Sequence, residues 1–481
     1  MDRIADFLAS IRERPVTAGE TPRAIRAALG GARLPAAGTP PARLLDETVD
    51  LLFEHSLLNG HPRFWGYITS SASPIGALAD LLAAAVNPNV GGWDLSPIAS
   101  EIETQTIRWI AELIGYPAGC GGLLLSGGNM ANFVGFLAAR RAKAPWDVRA
   151  DGMAGGGKPL AVYASSETHT WLQKAADLFG LGTGAIRWIP TEAGRRMDVA
   201  ALERRIAADR AEGSLPFLVV GSAGTVSTGA VDPLPAIARV CRAHGLWLHV
   251  DGAYGAPAAA LPEASPELKG LAEADSVALD PHKWLYSPLE AGCVLVRDPQ
   301  HLVDAFSYHP AYYHFVESDE PAINYYEIGP QNSRGFRALK VWLGLRQVGR
   351  DGHVRMIRED IALAEALHRA VAAEPELQSF TLGLSIVTFR FVPAGLAPEV
   401  PEAAAYLNEL NRVLLERLQA GGEAFVSNAV LDGRFVLRAC IVNFRTTLDD
   451  VEALPEIVVR LGREVDAETR PAALEGGRKR G

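Results

Sequence analysis

From about residue 120 onward, the chain alternates short apolar runs with longer stretches of helical character. The apolar runs are Leu123–Leu125, Leu160–Ala164, Phe217–Val220, Leu246–Val250, Val277–Leu279 and Cys293–Val296. They are continuous rather than alternating in polarity, which is typical of strands whose two faces are both covered by helices. The pattern therefore predicts an α/β fold with a mostly parallel central sheet flanked by helices.

The turns that follow these runs carry residues suited to a flat, anionic ligand. Ligands of a parallel sheet gather beyond the carboxyl ends of its strands, so these turns mark the expected site. Ser126–Asn129 opens a helix with two glycines, which let backbone N–H groups approach a phosphate closely. Gly221–Thr225 contains only small residues and leaves room for a flat group. The glycine-rich turn lacks the Lys-Ser/Thr ending of a P-loop and the spacing of a dinucleotide motif, so a nucleotide-binding protein is not supported.

A lysine follows the run Val277–Leu279, within the pentapeptide Asp280-Pro281-His282-Lys283-Trp284. A desolvated ammonium loses its proton readily and becomes a nucleophile towards a carbonyl. Asp251 closes another buried run and needs a cationic partner, because an unpaired buried carboxylate is unstable. Pyridoxal phosphate (PLP) would supply the carbonyl, a protonated pyridine nitrogen and a phosphate, and His169 could stack on its ring. The sequence therefore predicts a PLP site.

A metal site formed by His249, Asp251 and His282 is the alternative for the same residues. Residues two apart on a strand share a face, so geometry leaves this open for His249 and Asp251. No further ligand stands at a recognised metal spacing, however, and the four cysteines form no CxxC pair. We therefore expect no metal.

The chain resembles the PLP-dependent group II amino acid decarboxylases, near the aromatic L-amino acid decarboxylases, from about His61 to Arg445. The motifs that carry the resemblance are Asp280-Pro281-His282-Lys283-Trp284, His249-Val250-Asp251-Gly252-Ala253-Tyr254, Ser126-Gly127-Gly128-Asn129-Met130-Ala131-Asn132 and Asn332-Ser333-Arg334-Gly335-Phe336-Arg337-Ala338-Leu339-Lys340. The resemblance implies the PLP-dependent transferase-like fold (fold type I) and a homodimer with its active site at the subunit interface.

The resemblance also implies a role for each site residue. Lys283 forms the Schiff base with the cofactor aldehyde, and Asp251 pairs with the pyridine nitrogen. His169 stacks on the ring, and Ala253 packs against the opposite face. The remaining residues expected around the cofactor are Gly128, Asn129, Asp280, His282 and Thr225.

The chain departs from common family versions at three of its positions. Asn129 stands where serine is frequent in the phosphate turn, and Met130 stands where glutamate is frequent. Val226 replaces a threonine found in some relatives, which removes one possible hydrogen bond near the ring. These changes affect individual contacts and leave the predicted cofactor unchanged.

Tyr312 matches a tyrosine that related decarboxylases carry on a loop after the lysine. Its implied role is to protonate the substrate Cα after carbon dioxide leaves, which suits a phenol in a closed, dry site. Adjacent Tyr313 leaves the register open. Relatives with phenylalanine here tend to be aldehyde synthases, so Tyr312 favours an amine product. Oxidative deamination to an aldehyde and a non-catalytic PLP-binding homologue are the alternatives.

The substrate is expected to be an aromatic L-amino acid, such as tyrosine, phenylalanine, dopa or tryptophan. Aromatic residues at Phe64, Trp65, Tyr67 and Trp93 suggest an aromatic or other apolar side chain. No basic residue obviously serves a second carboxylate, and Ser333 matches a position at which serine favours phenolic substrates in plant relatives. The residues expected to contact the substrate are Trp65, Tyr67, Ser70, Trp93 and Ser333.

A chain of 481 residues is expected to form two to three domains. We predict a helical segment at 1–85, a large PLP-binding α/β domain at 86–349, a small α+β domain at 350–470 and a disordered tail at 471–481. In the small domain, strand-like runs at Ser385–Val392 and Arg434–Phe444 flank an amphipathic helix.

Charge and cysteine content restrict partners and location. The net charge of −10 argues against nucleic acid or an anionic membrane surface as a partner. The longest apolar stretch, Ile75–Val86, contains Asp80 and is too short to cross a bilayer. Widely spaced cysteines and an N-terminus unlike a signal peptide suit a reducing cytosol, so a cytoplasmic protein is expected.

Overall fold

The computed structural model describes residues 2–30, 33–308, 322–398 and 400–474. Its helices are α1 (Asp2–Ala9), α2 (Pro22–Leu29), α3 (Pro41–His55), α4 (Pro74–Val86), α5 (Pro97–Leu113), α6 (Gly128–Lys143), α7 (Val148–Asp151), α8 (Trp171–Leu178), α9 (Val199–Ala211), α10 (Leu234–His244), α11 (Gln300–Phe306), α12 (Ala338–Ala373), α13 (Pro401–Gly421) and α14 (Leu448–Thr469). Its strands are β1 (Phe64–Trp65), β2 (Gly121–Leu125), β3 (Leu160–Ser165), β4 (Ile186–Ile189), β5 (Leu215–Ser222), β6 (Trp247–Asp251), β7 (Ser276–Leu279), β8 (Gly292–Val296), β9 (Leu377–Gly383), β10 (Ile386–Phe391), β11 (Phe425–Leu431) and β12 (Arg434–Cys440).

The chain divides into two compact units. One contains the residues up to Ser71 and those from Asp360 onward, and the other is Ala72–Glu359. The sequence prediction instead places domain boundaries at 85/86, 349/350 and 470/471. Those boundaries stay a prediction. Within the described parts of the chain, no helix is both long enough and apolar enough to cross a membrane.

The unit Ala72–Glu359 is built on a seven-stranded sheet in the order β2-β8-β7-β6-β5-β3-β4. The pairs from β7 through β6, β5 and β3 to β4 are parallel, whereas β8 runs antiparallel to both β7 and β2. Every residue of β3, β6, β7 and β8 is buried, which explains the continuous apolar runs in the sequence. The predicted α/β fold with a mostly parallel sheet is confirmed.

An edge strand of this sheet, β4, is absent from the sequence prediction. Its four residues are Ile-Arg-Trp-Ile, and only the two isoleucines are buried. An edge strand with polar and half-exposed positions lacks the continuous apolar pattern of the central strands, so that pattern does not reveal it.

The other unit contains a five-stranded sheet in the order β1-β11-β12-β10-β9. All its pairs are antiparallel except that between β1 and β11. Helices α13 and α14 pack on each other, and the buried face of α13 includes Leu407, Leu410, Leu414 and Leu418. The predicted amphipathic helix therefore covers an antiparallel sheet in this unit.

A buried ion pair links three segments of the unit Ala72–Glu359. Glu103 of α5 and Arg334 are both almost fully buried, and the guanidinium donates to both carboxylate oxygens of Glu103. Arg334 also donates to the backbone oxygens of Val90, at 2.9 Å, and Leu124, at 2.7 Å. The N–H of Leu124 in turn donates to Glu103 at 2.9 Å. The pair thus holds α5, β2 and the chain around Val90 in one hydrogen-bonded cluster.

Glu103→Gln is expected to lower the free energy of unfolding by about 3–5 kcal/mol, because it leaves the Arg334 charge buried without its counter-charge. The matched control is Glu263→Gln, which removes the half-exposed pair between Glu263 and Arg358. An exposed pair contributes about 0–1 kcal/mol, so the control should stay close to the wild type. Urea unfolding measures both, and equal effects of the two substitutions would contradict the prediction.

Candidate active site

The predicted site lies at the carboxyl edge of the seven-stranded sheet, where β6 and β7 end side by side. Asp251 is the last residue of β6, and its carboxylate is almost buried. Its Oδ2 accepts a hydrogen bond from the indole N–H of Trp171 at 2.8 Å, and its Oδ1 accepts one from the backbone N–H of Ala253 at 3.1 Å. Both donors are neutral, so the negative charge of Asp251 is available to a cationic ring nitrogen.

His169 lies just before α8, with its side chain exposed. Its Nδ1 accepts a hydrogen bond from the backbone N–H of Trp171 at 3.2 Å, which places the ring proton on Nε2. Desolvation by the surrounding protein lowers the pKa of His169, and the nearby charge of Asp251 opposes this only in part. A neutral imidazole can stack on a protonated pyridine without repulsion between like charges.

Lys283 and Asp280 form an ion pair immediately after β7. The Lys283 Nζ lies 2.9 Å from Asp280 Oδ2, and the Asp280 side chain is buried. Asp280 Oδ1 is also buried and has no hydrogen-bond partner among the residues that the structure describes. His282 Nε2 lies 3.7 Å from Asp280 Oδ2, and its Nδ1 lies 2.7 Å from the backbone oxygen of Ala291. Burial lowers the pKa of His282, which favours the neutral ring.

The glycine-rich turn after β2 forms the start of α6. Gly127 has φ +87°, a left-handed conformation that favours glycine, and Gly128 is the first helical residue. A Cβ at Gly128 would lie 2.7 Å from Asp280 Oδ2, so only glycine lets the backbone approach this closely. Asn129 follows as the second helical residue. The first turn of α6 therefore presents backbone N–H groups to an anion, as a phosphate requires.

These residues fit PLP. The first turn of α6 offers backbone N–H groups to a phosphate, Asp251 offers a buried negative charge, and Lys283 offers an amine. The roles predicted for each residue stay predictions, including cofactor binding by Asp280, whose observed contact is with Lys283. Thr225 also stays a prediction, and its hydroxyl lies 3.0 Å from that of Thr228 within the turn after β5.

His249 belongs to the core rather than to a metal site. Its Nδ1 lies 2.7 Å from the hydroxyl of Ser276, and its Nε2 lies 2.7 Å from the side-chain oxygen of Asn132. Both ring nitrogens are thus engaged, and burial lowers the pKa of His249 to about 4. Among the described residues, no three side chains form a group that could hold a metal ion.

Three of the predicted substrate-contacting residues belong to the unit that contains β1. Trp65 is buried, and its indole N–H donates to the hydroxyl of Thr446 at 3.2 Å. Tyr67 is exposed, and its backbone N–H donates to the hydroxyl of Ser427 at 2.6 Å. Ser70 is buried.

The other two lie in the unit Ala72–Glu359. The indole N–H of Trp93 donates to Glu101 at 2.9 Å, and Ser333 is exposed. Tyr312, the predicted proton donor, lies outside the described residues. Substrate contact and proton donation therefore stay predictions.

Trp171 is a site residue that the sequence prediction missed. It is fully buried at the start of α8 and contacts both Asp251 and His169. In the sequence it reads as an apolar residue of a helix, because nothing local shows where its indole N–H points. The only signal is its position two residues after His169.

Comparison with known proteins gives a consistent family assignment. Residues 33–392 match the model of the pyridoxal-dependent decarboxylase conserved domain. The chain is 34% identical to an aromatic-L-amino-acid decarboxylase of Bacillus atrophaeus over 97% of this chain and 94% of that protein. It is 30% identical to a phenylacetaldehyde synthase of a Rosa hybrid cultivar over 92% of this chain and 88% of that protein.

A solved structure agrees. The crystal structure of Oryza sativa TDC with PLP and tryptamine has a TM-score of 0.87 and 30% identity, with 96% of each chain covered. The fold, the residues at the sheet edge and these matches show that the protein is a PLP-dependent carboxy-lyase. The chain belongs to the pyridoxal-dependent decarboxylase family.

Proposed function

We propose that this enzyme converts an aromatic L-amino acid to the corresponding amine and carbon dioxide. The observation that carries the proposal is the placement of Lys283, Asp251 and His169 at one edge of the sheet, in a chain similar to an aromatic-L-amino-acid decarboxylase over almost its whole length. PLP, when bound, supplies an electron sink for the electron pair of the broken Cα–carboxylate bond.

Lys283 is proposed to hold the cofactor covalently through Nζ. An ammonium must first lose its proton to act as a nucleophile. Asp280 is placed to receive that proton, because its Oδ2 lies 2.9 Å from Nζ and its buried Oδ1 has no hydrogen-bond partner within the described part of the chain. Asp280 thereby holds the proton at the edge of the site while Lys283 is in its reactive form.

Asp251 and His169 are proposed to hold the cofactor ring, Asp251 at the pyridine nitrogen and His169 on one face. The Asp251 carboxylate keeps the pyridine nitrogen protonated, which maintains the electron sink. The neutral His169 ring stacks on the cofactor face, with its orientation fixed at Nδ1. The first turn of α6, which starts at Gly128, is proposed to bind the phosphate.

Tyr312 is proposed to protonate the substrate Cα. The support is the resemblance of the sequence around it to that of related decarboxylases. Without this proton donor, Cα would stay unprotonated after carbon dioxide leaves. Reaction with oxygen and water would then give the aldehyde and release ammonia and hydrogen peroxide. Similarity to a phenylacetaldehyde synthase makes this oxidative route the second candidate function.

A homodimer and a cytoplasmic location are also part of the proposal. Helix α4 exposes Leu78, Leu81, Leu82 and Val86, and an exposed apolar helix face of this kind supports contact with another subunit. The resemblance further implies that the active site lies at that subunit interface.

The deciding experiment incubates the wild type and Tyr312→Phe with a panel of amino acids, in air and under nitrogen. We expect the wild type to give amine and carbon dioxide from tyrosine, phenylalanine, dopa or tryptophan, but not from glutamate. Tyr312→Phe is expected to give less amine and, in air, more aldehyde, which mass spectrometry distinguishes. Aldehyde from the wild type would favour the second candidate, and no product from any amino acid would indicate a non-catalytic homologue.

A further inference from the structure

We infer that Trp171 is a positioning residue that aligns both side chains proposed to hold the cofactor ring. Its indole N–H donates to Asp251 Oδ2 at 2.8 Å, and its backbone N–H donates to His169 Nδ1 at 3.2 Å. One residue thus contacts the proposed counter-ion and the proposed stacking ring through two different atoms. The inference rests on the proposed roles of Asp251 and His169.

The Asp251 carboxylate is held by one donor on each oxygen. The backbone N–H of Ala253 lies 3.1 Å from Oδ1, and the indole N–H of Trp171 lies 2.8 Å from Oδ2. Rotation of the carboxylate about its Cβ–Cγ bond would break both bonds, so the pair fixes the plane of the group. Since the Ala253 donor is backbone, Trp171 is the member of the pair that substitution can remove.

The His169 ring depends on the same residue for its orientation. The hydrogen bond from the Trp171 backbone N–H to Nδ1 fixes the tautomer of His169. It also keeps the Nδ1 edge of the imidazole towards the backbone of residue 171. Burial of the Trp171 side chain anchors that backbone N–H at the start of α8. A smaller or displaced side chain at residue 171 would therefore shift the backbone N–H that donates to His169. It would also shift or remove the indole N–H that donates to Asp251.

The indole rests on a rigid part of the core. Its ring packs edge-on against His249, with centroids 5.6 Å apart and an interplanar angle of 79°. His249 is itself held by Ser276 and Asn132, each at 2.7 Å from a ring nitrogen. Because the core holds the indole in place, Trp171 in turn fixes the orientation of Asp251 and His169. Supporting residues of a preorganised site act in this way.

Trp171→Phe tests this inference, because phenylalanine keeps most of the ring and loses the N–H donor. We expect the dissociation constant for PLP to rise by about 10-fold or more, the effect of losing one hydrogen bond to a charged group. The full-length protein, freed of PLP, is titrated with PLP for this measurement. At saturating PLP, the visible circular dichroism of the bound cofactor should also change, because it reports how the ring is held.

Tyr163→Phe is the matched control. Tyr163 lies on β3, and its side chain is also buried. Its hydroxyl donates to the buried carboxylate of Asp209 at 2.7 Å. Removal of that donor should lower the thermal midpoint of unfolding while the dissociation constant for PLP stays within about 2-fold. Should Trp171→Phe not fold, Trp171→Met also removes the donor and carries the same prediction.

The inference is overturned if the Trp171 variant binds PLP as the wild type does, or if both variants weaken PLP binding equally. These outcomes are separate from failure of the proposed function. A wild type that makes no amine rejects the proposed function, whereas the titration and the circular dichroism need no turnover and still decide the role of Trp171.

Discussion

Lys283→Ala is expected to lower decarboxylation by at least about 1000-fold, because it removes the proposed covalent attachment point of the cofactor. Alanine leaves Asp280 at the site with no ammonium beside its Oδ2, which the wild type holds at 2.9 Å. The visible absorbance of bound PLP should also disappear or shift, since the linkage to Nζ can no longer form. Carbon dioxide release and an absorbance spectrum of the purified protein measure the two effects.

Lys340→Ala is the matched control for this substitution. Lys340 is likewise a lysine paired with an acid: it is buried, and its Nζ lies 3.2 Å from Asp80. Loss of this pair should reduce stability and leave the visible absorbance of bound PLP in place. An absorbance band that survives Lys283→Ala unchanged would show that the cofactor is held by another residue.

Asp251→Asn is expected to lower kcat by about 100-fold or more, because an amide cannot supply the charge that keeps the pyridine nitrogen protonated. The amide NH₂ would also face a donor, either the Trp171 indole N–H or the Ala253 backbone N–H. Covalent attachment should persist, since Lys283 contacts Asp280 rather than Asp251. The experiment therefore measures kcat at saturating PLP together with the visible spectrum.

Asp232→Asn is the control for loss of a buried carboxylate. The oxygens of Asp232 accept from the backbone N–H groups of Met197 and Ser222, each at 2.8 Å, in an arrangement like that of Asp251. This substitution should reduce stability without a comparable loss of kcat. If both asparagine variants lose kcat to the same extent, the special role of Asp251 is rejected.

The strand pattern and the site positions could be predicted from the sequence for one physical reason. A central parallel strand is buried on both faces, so its apolar run is continuous, and the polar residue that ends it stands out. Asp251 and the pentapeptide of Lys283 were recognised in this way, and the structure places them after the neighbouring strands β6 and β7. The half-exposed edge strand β4 has no such contrast and was missed.

The sequence by itself therefore determined the α/β class, the mostly parallel sheet, the family and the residues proposed to act at its carboxyl edge. Tertiary structure alone decided the antiparallel direction of β8, the ion pair of Glu103 with Arg334, and the two contacts of Trp171. The α/β class could be predicted because a buried strand leaves a local pattern in the sequence, a continuous apolar run of about its own length. The direction of a side-chain N–H, by contrast, depends on residues far away in the sequence, and here it joins Trp171 to a carboxylate eighty residues later.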